Sequence, residues 1–162
     1  MRVFFVFSLL LISMSLSAQK SVEHEERNTP IAFQISQEPD IFENLSATYN
    51  KGLLDVCEND IKKAHQEWSS MLSEIEAFAA TQNFNINGVK MWLKVFWNTD
   101  GSIEHIAFHL KPSSKNIDRV KMQKFLEDFA NSYGNNLKST FSYSQYSSAS
   151  FPTLPQLINK VN

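Results

Sequence analysis

The side chains of this chain best suited to chemistry are Glu104, His105 and His109, which lie close together in the sequence. Two histidines four residues apart would share one face of a helix and could bind a metal ion there. The surrounding residues alternate between apolar and polar types, however, which predicts a strand. On a strand His105 and His109 lie about 13 Å apart, and the neighbours Glu104 and His105 point to opposite faces. We therefore predict neither a metal site nor an acid–base pair in this segment.

The chain has none of the motifs that mark common catalytic and cofactor sites. It lacks a Gly-rich phosphate loop, Gly-x-Ser-x-Gly, His-Glu-x-x-His and paired cysteines. Cys57 is the single cysteine, which excludes an intramolecular disulfide, and its acidic neighbours do not favour a reactive thiolate. We predict that Cys57 is a buried residue of a helix. We expect no enzymatic activity, no cofactor and no bound metal.

A row of lysine and aromatic side chains is the strongest candidate for a binding surface. Every second residue from 90 to 96 is a lysine or an aromatic residue, so one face of a strand would carry all four. The candidate partner-binding residues are Lys90, Trp92, Lys94, Phe96 and, on the next strand, His109. Such a face either binds aromatic or acidic groups of a partner or is covered by another segment, for which residues 30–49 are the candidate. Both interpretations stay open at this point.

A β-hairpin over residues 89–110 would position these side chains. Residues 98–101 (Asn-Thr-Asp-Gly) separate two runs of β-branched and aromatic residues, and Gly101 can adopt the left-handed conformation that closes a type I turn with a bulge. Ile103 is out of phase with the apolar residues that follow it, and a β-bulge near residues 104–105 would restore the phase. The residues that then share the core face are Val89, Met91, Leu93, Val95, Trp97, Ile103, Ile106, Phe108 and Leu110.

Two amphipathic helices and two further strands complete the predicted fold. Apolar residues recur at three- and four-residue spacing over residues 53–81 and again over 117–133. Asp55 with Glu58 has the character of a capping box for the first helix, but Asn59 or Asp60 could instead start a shorter version. Asn116 or Ser114 would cap the second helix, and Gly134 would end it. Residues 137–148 predict a third strand, and residues 31–35 could add a short one. The order helix-strand-strand-helix-strand predicts an α+β fold, with a small antiparallel sheet packed against two helices.

The N-terminal residues have the pattern of a secretory signal peptide. Arg2 precedes a short apolar run that ends in small residues up to Ala18. We predict cleavage after Ala18, with cleavage after Ser17 as the open alternative. Cleavage after Ala18 divides the chain into a signal peptide (1–18), a flexible polar leader (19–29) and a single α+β domain (30–162). The apolar run is too short to span a bilayer comfortably, so we expect a periplasmic or secreted protein without a transmembrane segment in the mature chain. Loss of Arg2 takes the net charge from −2 to −3, which argues against a nucleic acid partner.

The hairpin segment 94–106 reads Lys-Val-Phe-Trp-Asn-Thr-Asp-Gly-Ser-Ile-Glu-His-Ile, and a loop with Ser113, Ser114 and Asp118 then opens a helix. This combination resembles the C-terminal domain of TonB-like proteins, over roughly residues 85–150. The resemblance implies the fold just described. It does not extend to the features of the family's energy transducers, because the predicted signal is cleavable, a proline-rich spacer is absent and the Trp-x-Pro segment after the second helix is missing. We therefore do not assign energy transduction.

These observations lead to one preferred hypothesis and two alternatives. The preferred one is an exported, non-catalytic binding module of the bacterial cell envelope, whose partner is an envelope protein or peptide bound at a sheet edge or on the aromatic face. The first alternative is a small-ligand carrier with a cystatin-like fold. The second is a small hydrolase or isomerase. A deep cavity lined by Trp92 and His109 would favour the alternatives, whereas a flat sheet with an open edge would favour the binding module.

Overall fold

The computed structural model describes residues 29–134 and 137–153, which form a four-stranded sheet with helices on both faces. The elements are β1 Ala32–Gln34, α1 Pro39–Thr48, α2 Leu53–Val56, α3 Ile61–Thr81, β2 Lys90–Trp97, β3 Ile103–Leu110, α4 Arg119–Ser132 and β4 Tyr143–Ser150. The α+β class is confirmed, and the predicted order corresponds to α3, β2, β3, α4 and β4. The predicted signal peptide lies outside the described residues, as does the leader apart from Thr29.

Among the described residues, none of the helices combines the length and the apolar composition that crossing a membrane requires.

The strands are arranged in the order β1-β3-β2-β4. β2 pairs antiparallel with β3 and β4, whereas β1 pairs parallel with β3. The sheet is therefore mixed, and the expectation of a purely antiparallel sheet applies only to β2, β3 and β4. Three helices and β2 separate β1 from β3 along the chain, which provides the long crossover that parallel neighbours need.

The β2–β3 hairpin has the bulge that the sequence predicts. Trp97 pairs with Ile103. The next pair along the ladder is Phe96 with His105, which leaves Glu104 as the additional residue of a β-bulge. The apolar residues that follow the bulge return to the same face as Val95.

The turn of the hairpin is also confirmed. The N–H of Gly101 donates to the carbonyl of Asn98 at 3.0 Å, and the N–H of Asn98 donates to the carbonyl of Ser102 at 2.9 Å. The carboxylate of Asp100 accepts hydrogen bonds from the N–H and the hydroxyl of Ser102. Gly101 has a φ of 88°, in the left-handed region that side chains with a Cβ branch avoid.

Gly101→Val is expected to lower the free energy of unfolding by about 1–3 kcal/mol, because a β-branched residue is strained at positive φ. Urea denaturation followed by circular dichroism measures the change. Gly134→Val is the matched control, since the φ of Gly134 is not positive and an added Cβ there meets no atom within 4 Å. Equal stability of the two variants would show that the turn tolerates a β-branched residue.

The predicted helix over residues 53–81 is interrupted after its first turn. Glu58 and Asn59 have φ values of 57° and 63°, which end α2 and turn the chain. The side chain of Asp60 then accepts a hydrogen bond from the N–H of Lys63 and caps α3. The helix does not run unbroken from residue 53, and of the two possible starts the shorter version, capped by Asp60, is the one observed. Local capping by Asp60 outweighs the apolar periodicity that runs through the break. Cys57 is buried as predicted, although at the end of α2.

The second predicted helix and the third predicted strand are both present with shifted limits. Asp118, rather than Asn116 or Ser114, caps α4 by accepting from the N–H groups of Val120 and Lys121. Gly134 is not in the left-handed conformation, and the helix ends at Ser132. β4 begins at Tyr143, six residues later than predicted.

The main core lies between the sheet and the layer formed by α3 and α4. Its helical residues include Trp68, Met71, Ile75 and Ala79 from α3, and Met122, Phe125, Leu126, Phe129 and Ala130 from α4. The strand residues beneath them are those that the alternation pattern places on the core face of the hairpin. The candidate surface is on the opposite face of the sheet.

Candidate binding surface

The face of the sheet opposite α3 and α4 carries the predicted row of lysine and aromatic side chains. In the register of the sheet, Trp92 lies between His109 of β3 and Ser148 of β4. Lys94 lies between Ala107 and Tyr146. Helix α1, which the sequence analysis did not predict, crosses this face and divides it into a covered half and an open half.

The covered half forms a second, small core around Phe96. Phe96, Phe33 and Ala107 are fully buried, and the ring of Tyr49 meets the ring of Phe96 edge-on, with their centroids 5.3 Å apart. The Tyr49 hydroxyl donates a hydrogen bond to the carboxylate of Glu104. Residues 30–49 thus cover Phe96, as one of the two interpretations expected. Phe96 has no exposed surface and is removed from the candidate binding residues.

The open half is built on two aromatic rings that remain exposed. Trp92 keeps 41% of its surface accessible and Tyr146 keeps 47%. Their ring centroids are 5.8 Å apart, and Phe42 of α1 contacts the other side of Tyr146 at 6.0 Å. Rings held by neighbouring strands lose little conformational freedom when a partner binds. We call this area the aromatic surface; it comprises Trp92, Tyr146, Lys90, Lys94, Lys111 and His109.

Lysine side chains surround the exposed rings. The Nζ of Lys111 lies 4.1 Å from the centroid of the Trp92 ring, a cation–π contact, and donates a hydrogen bond of 2.6 Å to the hydroxyl of Ser148. The Nζ of Lys94 lies 5.3 Å from the ring centroid of Phe42 and donates to the hydroxyl of Ser46 at 2.8 Å. Burial beneath α1 lowers the pKa of Lys94.

The positive charge of this surface is not neutralised by ion pairs. Within residues 29–134 and 137–153 the one ion pair joins Lys124 and Asp128 on the exposed side of α4. Lys90 and Lys111 therefore have no carboxylate partner among the described residues. An overall acidic protein thus presents a local patch of positive charge beside two exposed rings.

The residues with catalytic or metal-binding side chains are not brought together. The bulge places His105 and His109 on the same face, but His105 is buried with its Nδ1 3.0 Å from the carbonyl of Pro30, whereas His109 is exposed. The carboxylate of Glu104 accepts a hydrogen bond from the hydroxyl of Tyr49. No group of three or more His, Cys, Asp or Glu side chains that could hold a metal ion occurs in the described part of the chain.

A shallow groove lies on the other side of β4, against the helices. It is lined by Leu54, Ile61, Trp68, Gln145 and Ser147, among others. Ile61 has 75% of its surface exposed, and Leu54 is also exposed. The strand β4 therefore separates two surfaces, the aromatic surface on one face and, on the other, a groove that mixes polar residues with the exposed apolar side chains of Leu54 and Ile61.

Sequence reasoning omitted two residues of the surface, Tyr146 and Lys111, from the candidate set. Tyr146 falls on the polar face of its predicted strand, so the pattern alone gives no reason to pair it with Trp92. The contact depends on the pairing of β4 with β2, which joins residues 46 to 60 positions apart. Lys111 follows the last residue of β3 and reaches back over Trp92.

Comparison with known proteins adds no relative, because no family model, curated protein or solved structure matches this chain.

Proposed function

We propose that this protein is a non-catalytic binding module of the bacterial cell envelope and holds a protein or peptide partner on the aromatic surface. The observation that carries the proposal is the exposed pair of Trp92 and Tyr146, flanked by lysines that form no ion pair with another described residue. Tryptophan and tyrosine are enriched at the energetic centres of protein interfaces, since their rings bury much apolar area and keep one polar atom for a hydrogen bond.

The shape of the surface supports a macromolecular partner. The rings belong to neighbouring strands of one sheet and form a continuous platform, and the grooves beside Glu76 and beside Ile61 lie apart from it. A small-ligand carrier would instead bury most of its ligand in a concave pocket. The predicted signal peptide supports the assignment to the envelope, as an inference from the sequence.

The double variant Trp92→Ala, Tyr146→Ala is expected to lose the partner while the protein stays folded. Truncation of such anchors costs about 2 kcal/mol or more in binding free energy, which is roughly a 30-fold loss of affinity. Crosslinking and pull-down from native envelope extract, compared quantitatively between wild type and variant, measures the loss. The melting midpoint of each variant shows whether the fold is retained.

Val120→Ala is the matched control, because Val120 is 76% exposed on α4, which packs against the opposite face of the sheet. The control variant should capture the same proteins as the wild type. If the double variant captures them equally well, the aromatic surface is not the binding site and the proposal fails.

A further inference from the structure

Strand β4 forms an edge of the sheet, and within residues 29–134 and 137–153 only the beginning of this edge is covered. The N–H of Ser144 donates to the carbonyl of Lys51 at 2.9 Å, and the hydroxyl of Ser144 donates to the carbonyl of Tyr49 at 3.0 Å. From Tyr146 to Ser150 no backbone group of the described residues pairs with the outer side of the strand. The unpaired length is long enough to take up several residues of another strand.

The backbone groups that face outward can be identified from the pairing. Ser144 directs its N–H away from β2, and Phe151 directs its N–H toward β2, where it donates to the carbonyl of Val89 at 2.9 Å. Because successive residues of a strand alternate in direction, Tyr146, Ser148 and Ser150 present their N–H and carbonyl groups to the open edge. Gln145 covers only the carbonyl of Tyr146, through a side-chain hydrogen bond of 3.3 Å.

This edge lacks the usual protection against pairing. Natural edge strands are commonly short, or carry lysine or proline, which discourages the addition of another strand. The opposite edge strand, β1, has three residues. In contrast, β4 has eight residues, Tyr-Ser-Gln-Tyr-Ser-Ser-Ala-Ser, without a charged residue or a proline. An exposed, uncharged and regular edge is suited to accept an extended segment.

The two surfaces beside β4 determine which side chains such a segment would carry. Residues of an added strand that lie on the side of Tyr146 and Ser148 would face the aromatic surface and the ammonium group of Lys111. The residues between them would point to the groove on the other face, where Leu54 and Ile61 expose apolar side chains. Since side chains of a strand alternate between the faces of a sheet, the two chemistries would alternate along the segment.

We infer that the open edge of β4 binds an extended partner segment in which acidic and apolar side chains alternate, with the acidic ones toward Lys111 and the apolar ones toward Ile61. This inference rests on the proposed function and names the partner chemistry of the same region. Charge decides against a second copy of this chain as the occupant, because antiparallel pairing of two β4 edges would bring the two Lys111 side chains onto the same face.

Three synthetic seven-residue peptides test the pattern on the full chain. One alternates glutamate and leucine, the second has the same composition with the glutamates and leucines in separate blocks, and the third alternates lysine and leucine. Calorimetric titration is expected to show that the alternating acidic peptide binds at least about tenfold more tightly than either of the others, and that added salt weakens its binding. Equal affinities, or no binding of the alternating acidic peptide up to about 1 mM, would overturn the inference.

Two pairs of variants test the location. Ser148→Pro removes an outward N–H and Ser148→Ala keeps it, while both lose the hydroxyl, so only the proline variant should lose the alternating peptide. Lys111→Glu and Ile61→Ser should each weaken binding of the alternating acidic peptide about tenfold without lowering the melting midpoint. If Ser148→Pro does not fold, these two variants test whether the peptide binds at the edge of β4. If these variants bind the peptide normally, or if the chain dimerises through β4, the inference is wrong. If the Ser148, Lys111 and Ile61 variants still capture the natural partner while the Trp92 and Tyr146 double variant does not, the inference about the β4 edge fails. The proposed function on the aromatic surface stands in that case.

Discussion

Phe96→Ala is expected to lower the free energy of unfolding by about 3–5 kcal/mol, the usual cost of removing a buried aromatic ring. Phe96 has no exposed surface and packs beside Tyr49 and Ala107 beneath α1. Its removal would leave a cavity between α1 and the sheet, within the small second core that packs α1 onto this face. We therefore expect α1 to lose protection from hydrogen exchange along with the loss of global stability.

Trp92→Ala is the matched control, because Trp92 is on the same strand and the same face but keeps 41% of its surface exposed. Substitutions at exposed positions usually change stability by about 0.5 kcal/mol or less, and we allow about 1 kcal/mol for the lost contacts with Tyr146 and Lys111. Chemical denaturation of the two variants gives both values. Comparable losses from the two substitutions would mean that the open half of the face is as tightly packed as the covered half.

The contrast between Phe96 and Trp92 shows where sequence reasoning stops. Both residues belong to one alternating row, so periodicity assigns them to the same face and cannot separate them. Their different burial depends on α1, whose apolar residues Ile41, Phe42 and Leu45 pack against the small second core around Phe96. Pro39 at the first position of the helix was a usable signal for its start.

The hairpin was predictable because its determinants are local. The Asp-Gly turn and the phase change at Ile103 occur within a few residues of each other, and together they specify the bulge at Glu104. The strand order is not specified in this way. The position of β4 beside β2, which brings Tyr146 to Trp92, depends on how the helices pack on the other face, and no short-range pattern encodes it.

The break between α2 and α3 illustrates competition between two local signals. Apolar spacing continues through Cys57 and Ile61, which favours one long helix. Asp60 provides a cap for a new helix, and Glu58 and Asn59 accept left-handed conformations. Ile61 then projects into solvent beside β4 instead of joining the core stripe. The exposure of Ile61, which contributes to the groove beside β4, is therefore a consequence of the cap at Asp60.

A steep loss of stability above about pH 10, the ordinary pKa of tyrosine, is the second large effect that we expect. Burial raises the pKa of Tyr49 and Tyr143, and the hydrogen bond to Glu104 raises the pKa of Tyr49 further. Both side chains stay protonated in the folded state at a pH where the unfolded chain has released the protons. The unfolded state then binds fewer protons than the folded state, so the free energy of unfolding falls as pH rises.

Each such tyrosine lowers the free energy of unfolding by about 1.4 kcal/mol per pH unit until its folded-state pKa is reached. Lys94 acts in the opposite direction, since burial lowers its pKa, and it can offset part of the loss. Urea denaturation at a series of pH values from about 8 to 11 measures the slope, and near-ultraviolet absorbance reports tyrosinate formation. Tyr49→Phe combined with Tyr143→Phe removes both hydroxyls and should reduce the slope at the upper end of this range, toward a limit of about 2.7 kcal/mol per pH unit. A stability that is constant over this range in the wild type, or a slope that the double variant leaves unchanged, would show that these hydroxyls do not control the alkaline transition.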